Sequence, residues 1–197
     1  MPVAPGQPLD PAATRARILR TADEAFYARG VNAVGIADLA AAANASKLSI
    51  YRHFGSKTGL VQAIADDRSR RTHAWLRAGI AGHEPGLARI RAMFALLGEW
   101  FADPAFAGCG VVNATVDTRD EPDGVREVAH RHLAGYLDVL RENLEREVPA
   151  DRVDTLAGQI LLLIEGAILT AALTGDPRQA TLASDAATTL VQASATA

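Results

Sequence analysis

At 197 residues with a formal charge of -3, the chain is long enough for one large domain or two small ones, each with a core of its own. Hydrophobic residues make up 49% and charged residues 22%, which excludes a disordered or collagen-like chain. The single cysteine, Cys109, excludes an intrachain disulfide framework and a thiolate metal cluster.

The first dozen residues, punctuated by proline and glycine, read as a flexible arm without the apolar stretch of a signal peptide. The apolar run Ile160 to Leu173 is broken by Glu165 and is shorter than a bilayer span. These features predict a cytoplasmic protein with no membrane partner. Prolines and glycines fall between stretches of helical period, and no alternating β-branched run of useful length occurs, so the fold class expected is all-α.

A first helix is expected over residues 11–29, because Ile18, Ala22, Ala25 and Phe26 form an apolar stripe. Gly30 should end it in left-handed geometry. Two short helices follow, over residues 36–43 and 47–54, separated by Asn44-Ala45-Ser46. After Gly55-Ser56-Lys57 a long helix runs from about Thr58 to residue 82. Further helices are expected near 87–102, 110–119, 123–147, 151–174 and 177–194, divided at Asp103-Pro104, Gly108-Cys109-Gly110, Glu121-Pro122-Asp123-Gly124, Pro149 and Gly175-Asp176-Pro177.

Charge is unevenly spread. Residues 1–71 hold ten Lys and Arg against six Asp and Glu, a net of +4, whereas the remainder nets -7. A basic module on an acidic body would produce this asymmetry, as would chance variation among solvated faces. Both lysines of the chain, Lys47 and Lys57, fall in the basic part.

The segment from Ile36 to Phe54 carries the most chemistry. Two short helices joined by a three-residue turn suit a helix-turn-helix, whose second helix enters the major groove. Asn44 sits at the sharp turn and tolerates left-handed backbone. Ser46 is placed to cap the next helix, whose N-terminus, with Lys47 and Ser49, can meet phosphate oxygens or base edges. Tyr51 and His53 bring polar tips on rings, and Lys57 adds a charge just beyond. Ile50 and Phe54 should pack on the first helix, leaving Leu48 for a thymine methyl or the opposite rim. A small surface helix with solvated charges would show the same spacing.

These residues resemble the N-terminal domain of the TetR family of regulators. The resemblance spans roughly Thr14 to Ile64 and rests on Ala25-Phe26-Tyr27-Ala28-Arg29-Gly30, Ile36-Ala37-Asp38-Leu39-Ala40, and Ser46 through Lys57 with its Tyr-x-His-Phe-x-x-Lys element. It implies a repressor that binds a pseudo-palindromic double-stranded DNA operator as a homodimer. It also implies DNA-facing roles for Ser46, Lys47, Tyr51, His53 and Lys57, with Tyr51 and Lys57 on phosphates. Gly35 stands where the family usually has a capping Thr or Ser, which removes one hydroxyl contact to phosphate. Asn44 stands where glycine is usual.

The domains expected are an arm over 1–12, a three-helix DNA-binding domain over 13–57, and a helical effector-binding and dimerisation domain over 58–197. Met93, Leu97, Trp100, Phe101, Phe106, Cys109, Asn113 and Val116 are candidate linings for a small, largely apolar effector; the aromatic members could equally be core. Leu156, Ile160, Leu163, Ala167 and Ala171, with Leu182, Ala186 and Leu190 of the last helix, are candidates for a dimer interface built as a four-helix bundle. Glu165, within that apolar helix, pairs with an arginine, accepts from a neighbour or edges the pocket.

An enzyme finds little support. His130 and His132, two apart on a helix, point to different faces, which is poor ligand spacing. Asp117 and Asp120 read as a solvated turn, and Cys109 lacks a recognisable basic partner in sequence. No nucleophile elbow, zinc-protease helix or phosphate-binding glycine loop is present. No metal and no cofactor are expected.

Overall fold

The structure is a computed structural model that describes residues 10–119 and 124–195. Most of the arm therefore lies outside the described residues, as do Asp120 and the first three residues of the Glu121-Pro122-Asp123-Gly124 break. The described residues form nine helices and no strand. They are α1 (Pro11–Arg29), α2 (Ile36–Ala42), α3 (Lys47–Phe54), α4 (Lys57–Ile80), α5 (Leu87–Phe101), α6 (Gly110–Asp117), α7 (Gly124–Leu144), α8 (Ala150–Thr174) and α9 (Gln179–Ala195).

Two apolar cores organise these helices. In the smaller, Ile18, Ala22 and Phe26 of α1 meet Leu39 and Ala40 of α2, Ile50 of α3, and Leu60, Val61 and Ile64 of α4. The first two turns of α4 thus belong to the N-terminal head, so its core extends past the boundary expected at residue 57. In the larger core, the rest of α4 packs with α5 to α9 around Phe94, Leu97, Tyr136, Leu140, Leu144, Ile160 and Ile164. Helix α4 spans both cores and is the rod that joins head to body.

Local chemistry sets the helix ends. Asp10 accepts from the Ala12 amide at 2.9 Å and caps α1, so Pro11 and Ala12 belong to a helix and not to the arm. Gly30 ends α1 with φ 80 and ψ 155. That is an extended conformation of positive φ, open to glycine, and not the left-handed helical one expected. Asn44 does take the left-handed turn, with φ 46. Gly86 offers α5 no side-chain cap. Two groups of the α7 end replace it: Asn143 Oδ1 accepts from Gly86 N and Glu147 Oε1 from Leu87 N.

Helix α8 is longer than the apolar run in its sequence. Among the described residues it is the one helix long and apolar enough, by length and composition, to cross a membrane. One face of it is buried inside the protein: Leu156, Ile160, Ile164, Ala167 and Ala171 all lie in the larger core.

Candidate nucleic-acid interface and effector cavities

Helix α3 presents a polar, exposed face away from the core. Its N-cap is Ser46, whose Oγ accepts from the Ser49 amide at 3.0 Å. Lys47, Leu48, Tyr51 and Arg52 stand out from the same side, Leu48 66% and Tyr51 46% exposed. Leu48 is therefore an exposed leucine among cations on a short helix. Arg52, which the motif did not single out, shares that face. Ser49, His53 and Lys57 are half-buried. The Lys57 ammonium lies 5.9 Å from the centre of the Phe26 ring, at the first turn of α4, which Ser56 caps through Gly59 N. Ile50 is fully buried and Phe54 packs on the smaller core with the Arg15 guanidinium 5.1 Å from its ring centre.

The turn before α3 is held from outside. Arg17 of α1 donates from Nε to Ala43 O at 2.7 Å and from a terminal nitrogen to Asn44 O. A guanidinium on two successive carbonyls fixes the angle between α2 and α3. This link crosses 26 residues of sequence, and no local pattern announces it.

A second set of contacts ties head to body. The Tyr27 hydroxyl donates to Gly108 O at 3.0 Å and accepts from Ala107 N at 2.9 Å. Asp117, at the end of α6, accepts from Val31 N at 2.7 Å, and its carbonyl accepts from Asn32. Arg68 of α4 is ion-paired to Asp23 of α1 and lies over the Tyr27 ring, 4.2 Å from its centre. Asp117 is thus a bracket between domains; no metal-binding group of three or more His, Cys, Asp or Glu occurs among the described residues.

The expected effector lining is divided by the structure. Met93, Leu97 and Phe101 are enclosed in the larger core. Trp100, Phe101 and Phe106 stack into an aromatic trio with centroids 4.8 to 6.0 Å apart. Asn113 and Val116 instead line a cavity of about 410 Å³ at the head–body junction, with Asp23, Tyr27, Arg68 and Asp117. Trp100 lines a separate groove of about 220 Å³ with Arg68, Arg71, Thr72 and Trp75. Arg68 borders both.

Cys109 is buried as the N-cap residue of α6, its Sγ 3.5 Å from His132 Nε2. Burial pushes its thiol up to about 11, so it is held protonated, the opposite of an activated nucleophile. His132 is fully buried and lowered to about 4, by burial first and by His73 second. Its Nδ1 lies 3.1 Å from Ser69 Oγ. His130 is exposed on the other side of α7, as the spacing predicted. Glu165 forms no ion pair with an arginine among the described residues. Its Oε1 is buried without a hydrogen-bond partner, and burial raises its carboxyl.

The residues expected at a dimer interface fall into groups by burial. Leu156, Ile160, Ala167 and Ala171 are buried within the protomer, and Leu163 and Leu190 are half-buried against the core. The outer face of α8 is instead occupied by Leu162, Gly166, Leu169 and Leu173, which are exposed at heptad spacing. Leu162 is 74% and Leu173 77% exposed. On α9, Leu182, Ala186 and Thr189 are exposed at the same spacing. The apolar period of α8 could not choose between its two faces.

A three-helix head with a capped, cation-bearing recognition helix, mounted on a helical body, defines a helix-turn-helix transcriptional regulator. Two family models match. Residues 18–64 match the bacterial regulatory proteins of the tetR family, and residues 86–187 match the tetracyclin repressor-like C-terminal domain. The chain belongs to the TetR family. A solved TetR-family transcriptional regulator from Streptomyces coelicolor is 26% identical, with TM-score 0.84 over 93% of this chain and 97% of that one. A TetR-type regulator from Streptomyces avermitilis is 28% identical, with TM-score 0.79 over 92% and 97%. The HTH-type transcriptional regulator TtgR of Pseudomonas putida is 47% identical over 53 residues. That match spans 27% of this chain and about a quarter, 25%, of TtgR.

Proposed function

We propose that this regulator acts in the cytoplasm as a repressor, binding a pseudo-palindromic operator as a homodimer and released by a small, largely apolar effector. The observation that carries the reading is the outer face of α3, where Lys47, Leu48, Tyr51 and Arg52 stand exposed on a helix anchored beneath by Ile50. Ser46, Lys47, Ser49, Tyr51, His53 and Lys57 form the DNA-facing set. Among them Lys47 and Tyr51 are exposed to reach phosphate or base, and Ser46, whose oxygen accepts the capping bond, keeps its O–H to donate to a phosphate. The head comprises residues 13–64 and the remainder is the effector-binding and dimerisation domain.

The dimer is assembled on the outer faces of α8 and α9. Several large leucines on one seam, with Gly166 and Ala186 allowing close approach, suit a four-helix bundle across a two-fold axis. A two-fold dimer presents its recognition helices to half-sites about 34–36 Å apart. Because α4 enters both cores, a small rotation of its body half changes that separation. An effector acts through its differential affinity for the two arrangements.

A titration of the purified protein against fragments of its own upstream intergenic DNA, at two salt concentrations and with the mass of the complex measured, tests the reading. Selective binding by two or four chains per site is expected. Binding no tighter than to random DNA across all fragments, or binding by a single chain, would overturn it.

A further inference from the structure

The groove between α4 and α5 has a chemistry that the head–body junction lacks. Arg68, Arg71, Thr72 and Trp75 recur along α4 at i, i+3, i+4 and i+7 and so share one face. Trp100 of α5 closes the other side, steadied by the edge of Phe106 at 4.8 Å. Both tryptophans of the chain therefore border one opening of about 220 Å³. That volume suits a single aromatic ring with a small substituent.

The charge around this opening is unequal. Asp23 takes both Arg68 and Arg71, and Asp67 takes both Arg70 and Arg71. Three guanidinium groups thus share two carboxylates, and Arg71 is 58% exposed on its side chain. In the junction cavity, by contrast, Tyr27 and Asp117 already bond to backbone groups.

We propose that this groove binds planar aromatic anions, the ring lying between Trp75 and Trp100 and the carboxylate forked on Arg71 and Arg68. The inference deepens the proposed effector release and rests on that reading. Guanidinium pairs bidentately with carboxylate and stacks on aromatic faces, and an indole pair supplies the apolar walls. A ligand carboxylate competes with Asp23 for the same two guanidinium groups. Asp23 belongs to α1 of the head and both arginines to α4, so the anion loosens the head from its rod. Reciprocity then requires that operator DNA weaken binding of the anion by the same factor.

The test uses the full-length protein and three matched probes, 4-nitrobenzoate, 4-nitrobenzyl alcohol and 4-nitrobenzylamine, read by quenching of intrinsic tryptophan fluorescence. Saturable quenching by the acid is expected, with the alcohol and amine weaker by about tenfold. Arg71→Met should abolish that preference, and Asp23→Asn, which removes the competing charge from Arg68 and from one side of Arg71 while Asp67 keeps its hold on Arg71, should tighten the acid. Circular dichroism establishes that each variant is folded. Equal or tighter binding of the alcohol or amine, an unchanged preference in Arg71→Met, or no saturable quenching would overturn the site. With the site in place, saturating 4-nitrobenzoate should weaken operator binding. An operator complex indifferent to it would overturn the release step while leaving the regulator reading intact. A protein that binds no operator but still discriminates the three probes would sink the regulator reading and leave the anion groove standing.

Discussion

The His132 imidazole is wholly enclosed between Cys109, Ser69 and the rings of His73 and Tyr136, so protonating it within the fold is costly. With its pKa lowered from 6.5 to about 4, the folded state binds fewer protons than the unfolded chain between those values. The stability it contributes is fully present above about pH 6.5 and is lost as pH falls through 4, on the order of 3 kcal/mol in all. Glu165 works in the opposite sense: its raised carboxyl favours the fold below its ordinary pKa and loses that contribution as pH rises. Urea unfolding at several pH values from about 7 to 5 should show stability falling, and His132→Gln should flatten that slope; an equal slope in the variant would assign the acid sensitivity elsewhere. Lys47 offers a second test at this scale. Lys47→Ala should weaken operator binding and reduce the salt slope by about one, whereas an unchanged slope would remove Lys47 from the phosphate contacts.

Helix ends and helix faces differed in how far the sequence revealed them. Ends were legible because capping and breaking residues act locally: Ser46, Asn44 and Gly175 sit where their chemistry predicts. The inward side of α3 was legible for the same reason, since a helix of eight residues has few ways to place Ile50 inward. The faces of α8 were not, because a helix apolar nearly all round carries no period to orient it. Only the packing of α5, α7 and α9 assigns Ile160 to the core and Leu162 to the outside. Arg17, Tyr27 and Arg68 were missed because their partners are distant in sequence. Leu162→Glu should therefore leave the protomer folded and yield a monomer in sedimentation. A variant that stays dimeric would move the interface away from this seam. Gly59 tests the joint between α3 and α4. A Cβ there would stand 2.1 Å from Phe54 O, so Gly59→Ala should displace the recognition helix and cost about 1–3 kcal/mol. Thermal melting and operator affinity measure the two effects, and an unaltered variant would mean that the α3–α4 turn is plastic.

Two cores on one rod make a molecule that transmits or isolates motion according to the contacts between them. The Tyr27 hydroxyl is a two-way contact of this kind, satisfying a donor and an acceptor of the body at once. Tyr27→Phe leaves Ala107 N and Gly108 O without that partner, which costs about 0.5–1.5 kcal/mol, since the Ala107 side of the contact is open to water. Head and body should then unfold in a broader or split calorimetric transition instead of a single one. A sharp single transition at the original temperature would show that α4 alone couples them.

What Tyr27 and Asn32 grasp in the body is main chain: Ala107 N, Gly108 O and Asp117 O. Main-chain groups are present whatever side chain a position carries. The body can therefore exchange residues along this bend, and with them its ligand preferences, without forfeiting its grip on the head, provided the path of the backbone is kept. That part of the fitting between head and body is independent of side-chain identity in the body. A chimera that joins this head to a foreign body inherits these main-chain bonds from the bend, and has still to match by side chain Asp117 against Val31 N and Arg68 and Arg71 against Asp23.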